Sequence, residues 1–318
     1  MFENPHYMCN RSAMANDPFS SILSMMNARA VAAGGFTAAD RWALRFPPPE
    51  KIKFFVMARG ESLLMVDGIA APFALREGDV FLLQAGAGFV IASDADTPPL
   101  NALDVFDAEV PEIVDLGGDD ILFLGGHIDL DLAGGDMLLA HLPAAIHLPS
   151  GRPESRRLGW LIDAFVREQT EAAMGSDQAC AAIAQLIFLE VLRAHVAEPD
   201  MQTTGWLRGL GDMRLEPALK VIHAEPARDW SVEELARCVG MSRTAFAVRF
   251  KAVIGLAPLT YLTDWRMRLA RRGLAAGVPI ASLAPTVGYG SEAAFSTAFK
   301  RVAGIAPTLY RRMAVNDG

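Results

Sequence analysis

Twenty residues of this chain are written twice, and the copies restrict what its C-terminal third can fold into. Ser242–Tyr261 reads SRTAFAVRFKAVIGLAPLTY and Ser291–Tyr310, 49 residues later, reads SEAAFSTAFKRVAGIAPTLY; ten of the twenty positions coincide. In each copy a serine precedes an apolar pattern of helical period, so its hydroxyl is placed to cap the first free N–H groups of a helix. Phe246, Phe250 and Val253 fall at i, i+4 and i+7, and Phe295, Phe299 and Val302 repeat that stripe, which predicts a buried face. Gly255 and Gly304 suit left-handed C-terminal caps, and Pro258 and Pro307 suit the first turn of the next helix.

The residues ahead of each copy complete a larger unit. Ser231 to Glu234 reads SVEE, a capping-box pattern, with Leu235, Ala236 and Val239 behind it and Gly240 as a turn before Ser242. The spacing predicts helix, short turn, helix. Pro279–Val287 and the turn Gly288-Tyr289-Gly290 are the counterpart before Ser291. Pro285 falls inside that predicted helix, where a proline costs about 3 kcal/mol, so a late start and a bend are both open. Leu259–Ala276, carrying Trp265, Arg266, Arg268, Arg271 and Arg272, reads as one basic helix joining the units.

Opposite the stripe, the first copy carries Arg243, Thr244, Ala247, Val248 and Lys251, and the second carries Glu292, Ala293, Ser296, Thr297 and Lys300. For either helix alone a solvated polar face is the ordinary reading. Its repetition favours another, because short side chains let a helix sink into a major groove while its end residues reach bases or phosphates. The expected base-proximal residues are Ser242, Arg243, Thr244, Ala247 and Val248 in one groove, and Ser291, Glu292, Ala293, Ser296 and Thr297 in the next. Lys251, Lys300 and Arg301 are the expected phosphate contacts. The expected partner is double-stranded DNA, entered at two adjacent major grooves about 34 Å apart.

These residues resemble the DNA-binding module of the AraC/XylS family of transcription regulators over roughly Leu210–Arg312, most specifically in VGYGSEAAFSTAFKRVAGIAPTLYRR (Val287–Arg312). The resemblance implies seven helices, with Ser242–Ile254 and Ser291–Ala303 as the reading helices. Many members carry an arginine where this chain has Val248 and Thr297, so the DNA sequence recognised does not transfer with the resemblance.

Charge divides along the same boundary. Residues 206–318 hold 16 Lys and Arg against 9 Asp and Glu, a net of +7, whereas residues 1–205 hold 13 against 28, a net of −15. A locally positive third attracts phosphate although the chain as a whole is acidic. A net of +7 implies salt-sensitive binding that leans on dimerisation or on correct bases.

Upstream, glycines and prolines punctuate short apolar runs: Phe54–Ala58, Ser62–Val66, Asp79–Leu83, Phe89–Ala92 and Ile121–Leu124. With turn signals such as Asp67-Gly68, that texture reads as an antiparallel barrel or sandwich. REGDVFLLQAGAGFVI (Arg76–Ile91) resembles the turn-strand-turn of a cupin barrel, and the segment resembles the effector-sensing cupin domain of AraC-type regulators. After Ser150 the pattern turns helical. Arg156–Met174 aligns Leu158, Leu161, Ile162, Phe165 and Val166, and Asp177–Ala197 carries Ile183, Leu186, Ile187, Leu189 and Val191. The pair resembles the family's dimerisation helices, and packing onto its own barrel is the equal alternative.

The expected fold class is α+β: a loosely ordered N-terminus (1–15), a cupin-like β-barrel (16–150), paired helices (151–197), a linker (198–206) and an all-α module with two helix-turn-helix units (207–318). The expected function is sequence-specific DNA-binding transcription regulation, modulated by a small organic effector held in the barrel. Trp42, Arg45, Phe54, Phe81 and Phe89 are candidates to line that barrel, although alternation does not say which face inward. A homodimer is expected, with RNA polymerase as a candidate partner. The alternative is a cupin metalloenzyme, an oxygenase or isomerase, with a DNA-binding appendage. Cupin metal sites use closely spaced histidines, and no H-x-H occurs among His6, His127, His141, His147, His195 and His223, which argues against a metal or other cofactor and against catalysis. Cys9, Cys180 and Cys238 are widely separated and have no metal-ligand spacing, which suits a reducing cytoplasm. No uninterrupted run of about 18 apolar residues suggests a membrane span, and the first 15 residues lack a secretory pattern.

Overall fold

The computed structural model describes residues 17–106, 113–130, 139, 141–152, 156–171, 173–198 and 204–316. The N-terminus at 1–15, with Cys9, and most of the expected linker lie outside the described residues. Two compact units emerge, one within residues 28–130 and 142–201, the other within 1–27, 131–141 and 202–318. Helix α1 (Pro18–Met26), the first element among the described residues, belongs to the second unit.

The first unit is built of strands β1 (Arg29–Ala38), β2 (Ala43–Phe46), β3 (Ile52–Arg59), β4 (Glu61–Val66), β5 (Phe73–Arg76), β6 (Val80–Leu83), β7 (Phe89–Ala92), β8 (Leu100–Asn101), β9 (Ile113–Asp115), β10 (Ile121–Asp129) and β11 (Ala145–Leu148). They form a six-stranded sheet, ordered β11-β6-β3-β10-β1-β9, and a five-stranded one, ordered β5-β4-β7-β2-β8. Pairing is antiparallel except at β1/β9 and β2/β8. Among the described residues no strand pair joins the sheets into a closed ring, so the cupin-like barrel is a two-sheet sandwich. Its core is aromatic: Phe36, Trp42, Phe55, Phe81, Phe89 and Phe123 meet between the sheets. Trp42, Phe81 and Phe89 thus face inward. Phe54 faces the other way, its ring 6.3 Å from that of Phe165, and Arg45 is exposed and paired with Asp67.

The turn of the cupin-like phrase is pinned by Asp79. This buried carboxylate accepts from the backbone N–H groups of Arg76 (3.1 Å) and Ser150 (2.9 Å) and from His147 Nε2 (2.8 Å). Burial alone would raise its pKa, but these hydrogen bonds hold it below the ordinary carboxylate value.

Strand β1 escapes the sequence pattern because RAVAAGGFTA offers little alternation, and its register with β10 shifts between Ala32 and Gly35. The strands also approach closely there. A Cβ added at Gly126 on β10 would meet the Val31 carbonyl oxygen at 2.2 Å and the Phe54 ring at 2.4 Å. Gly126→Ala is therefore expected to destabilise the sandwich by about 3 kcal/mol, through overpacking against backbone that cannot yield. A denaturant midpoint equal to that of the wild type would contradict this.

Helices α2 (Arg156–Glu171) and α3 (Ser176–Ala197) cover the outer face of the six-stranded sheet, packing on each other and on β1, β3 and β11. Leu158, Leu161, Ile162 and Phe165 are buried as their spacing predicts. The face expected of α3 needs correction. Its buried residues are Cys180, Ala184, Ile187, Phe188, Val191, Leu192 and His195, whereas Leu186 is 46% exposed. So many positions of α3 are apolar that the sequence cannot fix which side is inward. By length and composition this helix could cross a membrane, yet it lies against the sandwich.

The second unit continues from residue 204 with α4 (Trp206–Gly211), α5 (Glu216–Ala224), α6 (Val232–Cys238), α7 (Arg243–Ile254), α8 (Pro258–Ala275), α9 (Ile280–Thr286), α10 (Glu292–Ala303) and α11 (Pro307–Asn316). Seven of these, α5–α11, fall within the span of the resemblance, the number it implied; α4, at six residues, begins ahead of it and is too short to show a period. The duplicated aromatics pack alike. Phe246 and Phe250 are 5.5 Å apart with Tyr261 edge-on at 5.7 Å from Phe250, and Phe295 and Phe299 are 5.7 Å apart with Tyr310 edge-on at 5.6 Å from Phe299. The stripes differ at their last position. Val253 is buried, and α4 lies against that end of α7: the Gly205 N–H donates to the Val253 carbonyl at 2.9 Å. Val302 is 36% exposed, and Ala298 closes the face instead. The duplication contains no second WLRGLG, and among the described residues no helix equivalent to α4 precedes the second copy.

Candidate nucleic-acid interface

Local capping chemistry fixes both ends of each reading helix. Ser242 Oγ accepts from the Ala245 N–H and Ser291 Oγ from the Ala294 N–H, each at 3.2 Å. Gly255 (φ 87°) and Gly304 (φ 78°) end the helices with left-handed caps. Ahead of the first, Ser231 and Glu234 form the reciprocal box: the Ser231 N–H donates to Glu234 Oε2 at 2.9 Å, and the Glu234 N–H to Ser231 Oγ at 3.1 Å. The turns match too, with the Met241 N–H donating to Ala236 O at 3.0 Å and the Tyr289 N–H to Ala284 O at 2.9 Å. Pro285 sits one residue from the end of α9. So near the end of a short helix, its missing N–H costs only one bond of the ladder.

The face opposite the aromatics is solvent-accessible in both copies. Ser242, Arg243, Thr244, Val248 and Lys251 are exposed on and before α7, with Ala247 half-buried. Ser291, Glu292, Ala293, Thr297, Lys300 and Arg301 are exposed on and before α10, with Ser296 half-buried. Val248, 67% exposed, is an apolar side chain held out in water on a face otherwise polar or small. Thr297 Oγ1 returns a hydrogen bond to the Ala293 carbonyl at 2.9 Å, leaving its methyl group outward.

Two arginines of the basic helix between the helix-turn-helix units, Arg266 and Arg268, are spent on structure. Arg268 Nε pairs with Asp264 at 2.8 Å. Arg266 donates from Nε to the Pro226 carbonyl at 2.6 Å and from Nη2 to the Arg228 carbonyl at 2.8 Å, with its guanidinium 5.9 Å from the Tyr289 ring. One side chain thereby ties the loop ahead of the first helix-turn-helix to the turn of the second. Gly288 makes the approach feasible: at φ 82°, a Cβ there would lie 2.8 Å from both the Ala227 carbonyl oxygen and the Arg266 guanidinium carbon. Sequence pattern had marked Arg266 only as one of several charges. A second anchor, His223 on α5, contacts Tyr261 Oη at 2.8 Å and stacks 4.0 Å from Trp265, both on α8. Burial pushes its imidazole pKa down to about 3.

Residues 17–197 match the cupin family and residues 235–313 a helix-turn-helix domain. A protein of Streptomyces lividans described as an AraC-like transcription regulator is 39% identical over 298 residues, covering 93% of this chain and 98% of that one. The HTH-type transcriptional regulator AlkR of Acinetobacter baylyi is 33% identical over 250 residues, covering 74% and 80%. Among solved structures, the DNA-binding domain of AdpA in complex with a target DNA is 31% identical, covering 29% of this chain and 84% of that chain, with a TM-score of 0.28. The chain belongs to the AraC-like family of DNA-binding transcription regulators, with a cupin-type N-terminal domain and a C-terminal helix-turn-helix module.

Proposed function

We propose that α7 and α10 enter two adjacent major grooves of double-stranded DNA, and that a small organic effector bound by the sandwich alters that binding. The observation that carries the DNA reading is the pair of equally capped helices, each exposing a small or polar face with a lysine in its last turn. Ser242, Arg243, Thr244, Ala247 and Val248 read one groove, and Ser291, Glu292, Ala293, Ser296 and Thr297 the other. Lys251, Lys300 and Arg301 hold phosphates. Selection of bound DNA from a random pool should return two half-sites about one turn apart; a single short site would refute the two-groove arrangement.

Two substitutions divide the roles. Arg243→Ala should relax preference at one base position, at a cost of about 1–3 kcal/mol if the contact is bidentate. Lys300→Ala should weaken every sequence alike and flatten the salt dependence by about one unit of slope. Unchanged affinity of the Lys300 variant at all salt concentrations would remove that residue from the phosphate contacts.

The chain acts as a homodimer in this reading, with RNA polymerase as the candidate partner at the promoter, in the cytoplasm, and without catalysis. Leu186 on α3 and Trp160 on α2, 46% and 71% exposed, support a self-association face on the helical pair. Leu186→Glu would then shift sedimentation toward a monomer. Stoichiometric iron, manganese or zinc in the purified protein would instead favour the metalloenzyme.

A further inference from the structure

Where β1 and β3 begin and β10 ends, the six-stranded sheet is sealed on one face and open on the other. Ala30, Ile52 and Ile128 are buried beneath the helices. Their neighbours in register on the inner face, Val31, Lys53 and His127, are not: Val31 is 36% exposed, and Lys53 and His127 are half-buried. Lys53 points the same way as Phe55, two residues along β3 and part of the inter-sheet core. A cation therefore stands at the mouth of the aromatic interior.

The Lys53 ammonium makes no hydrogen bond or ion pair with any described residue, and its pKa is lowered by burial first and by Lys51 second. Its basic neighbour is already matched: Lys51 Nζ lies 2.6 Å from Asp129 Oδ1 and 3.3 Å from His127 Nε2. Among the described residues this ammonium thus has no counter-charge in partly desolvated surroundings, an arrangement whose cost an incoming anion would offset. Beyond it the wall is aromatic. The Phe55 ring is 6.4 Å from Phe46, and Phe46 is 5.9 Å from Phe106; Phe46 and Phe106 are only partly buried.

We propose that this open end binds an apolar monocarboxylate, with Lys53 anchoring the carboxylate and Phe46, Phe55 and Phe106 receiving the apolar body. A carboxylate matches the charge that Lys53 presents there. The proposal rests on the reading of the sandwich as the effector domain and names the chemistry that domain selects.

The test uses the full-length protein with octanoate and octanol, which differ at the head group alone, and calorimetric titration. Octanoate is expected to bind more tightly than octanol by about tenfold or more, the worth of one charge-assisted contact. Lys53→Met keeps the apolar stem and should erase that preference, while Lys53→Arg should retain it. Lys53→Met should also melt no lower than the wild type without ligand, because it removes an unpaired half-buried charge. Equal affinity for the two probes, a preference that survives in Lys53→Met, or failure of both probes to bind would each overturn the proposal. DNA affinity with and without octanoate is read separately. Lys53-dependent binding that leaves DNA affinity unchanged would uphold the anion site and defeat the effector reading.

Discussion

Arg266→Ala is expected to uncouple the two helix-turn-helix units, and so to lose most of the affinity for a DNA carrying both half-sites while sparing a DNA carrying one. The guanidinium donates two hydrogen bonds to the carbonyls of Pro226 and Arg228 and faces the ring of Tyr289. Bonds from a charged donor contribute about 1.5–3 kcal/mol each, and their loss strands two carbonyl oxygens. With the units no longer fixed in phase, the second groove contact ceases to be effectively intramolecular, a loss on the order of 10²–10⁴ in avidity. Arg266→Lys keeps the charge but lacks the planar fork, so it should rescue little. Binding curves on one-site and two-site duplexes decide the matter. Equal loss on both would mean that the side chain merely supports the fold.

The helical unit should also be acid-labile in a way that traces to one residue. His223 has a folded pKa of about 3, against 6.5 for a free imidazole, because it is buried against Tyr261 and Trp265. Since the folded value lies below the unfolded one, the neutral ring's contribution is complete above pH 6.5 and is lost as pH falls toward 3. Within that window the slope is about 1.4 kcal/mol per pH unit, or about 5 kcal/mol in all. His223→Gln should lower stability at neutral pH yet flatten the decline between pH 6.5 and 4.5, above the range where most carboxylates titrate. Identical slopes for the two proteins in calorimetric melts would remove His223 as the cause.

The parts of this architecture legible in the sequence are those decided locally. Serine caps, glycine C-caps and the Phe-Phe pairs depend on residues within about one turn of each other, and their geometry follows. The exposure of Val302 was not legible, because it depends on whether another helix happens to lie alongside. The inward side of α3 was hidden by an excess of apolar positions, and β1 by alanine and glycine without alternation. The role of Arg266 was hidden for a different reason. Its acceptors are backbone carbonyls 38 and 40 residues away, and a carbonyl has no letter in the sequence. For the candidate interface, the outward set could be named in advance because it is the complement of a strong inward stripe. Which of its members meet bases is a matter for the binding experiments.

Helix α1 precedes strand β1 in the chain, yet Ile22, Met25 and Met26 are buried where it meets α5 and α8, and Phe19 lies 6.4 Å from Trp206. The DNA-reading part is thus not one contiguous stretch of polypeptide. A fragment starting near residue 204 would leave that greasy strip bare, inviting clumping at high concentration. Supplying Pro18–Met26 as a separate peptide should restore its solubility, which makes the opening segment a removable cover and gives protein engineers a natural place to cut.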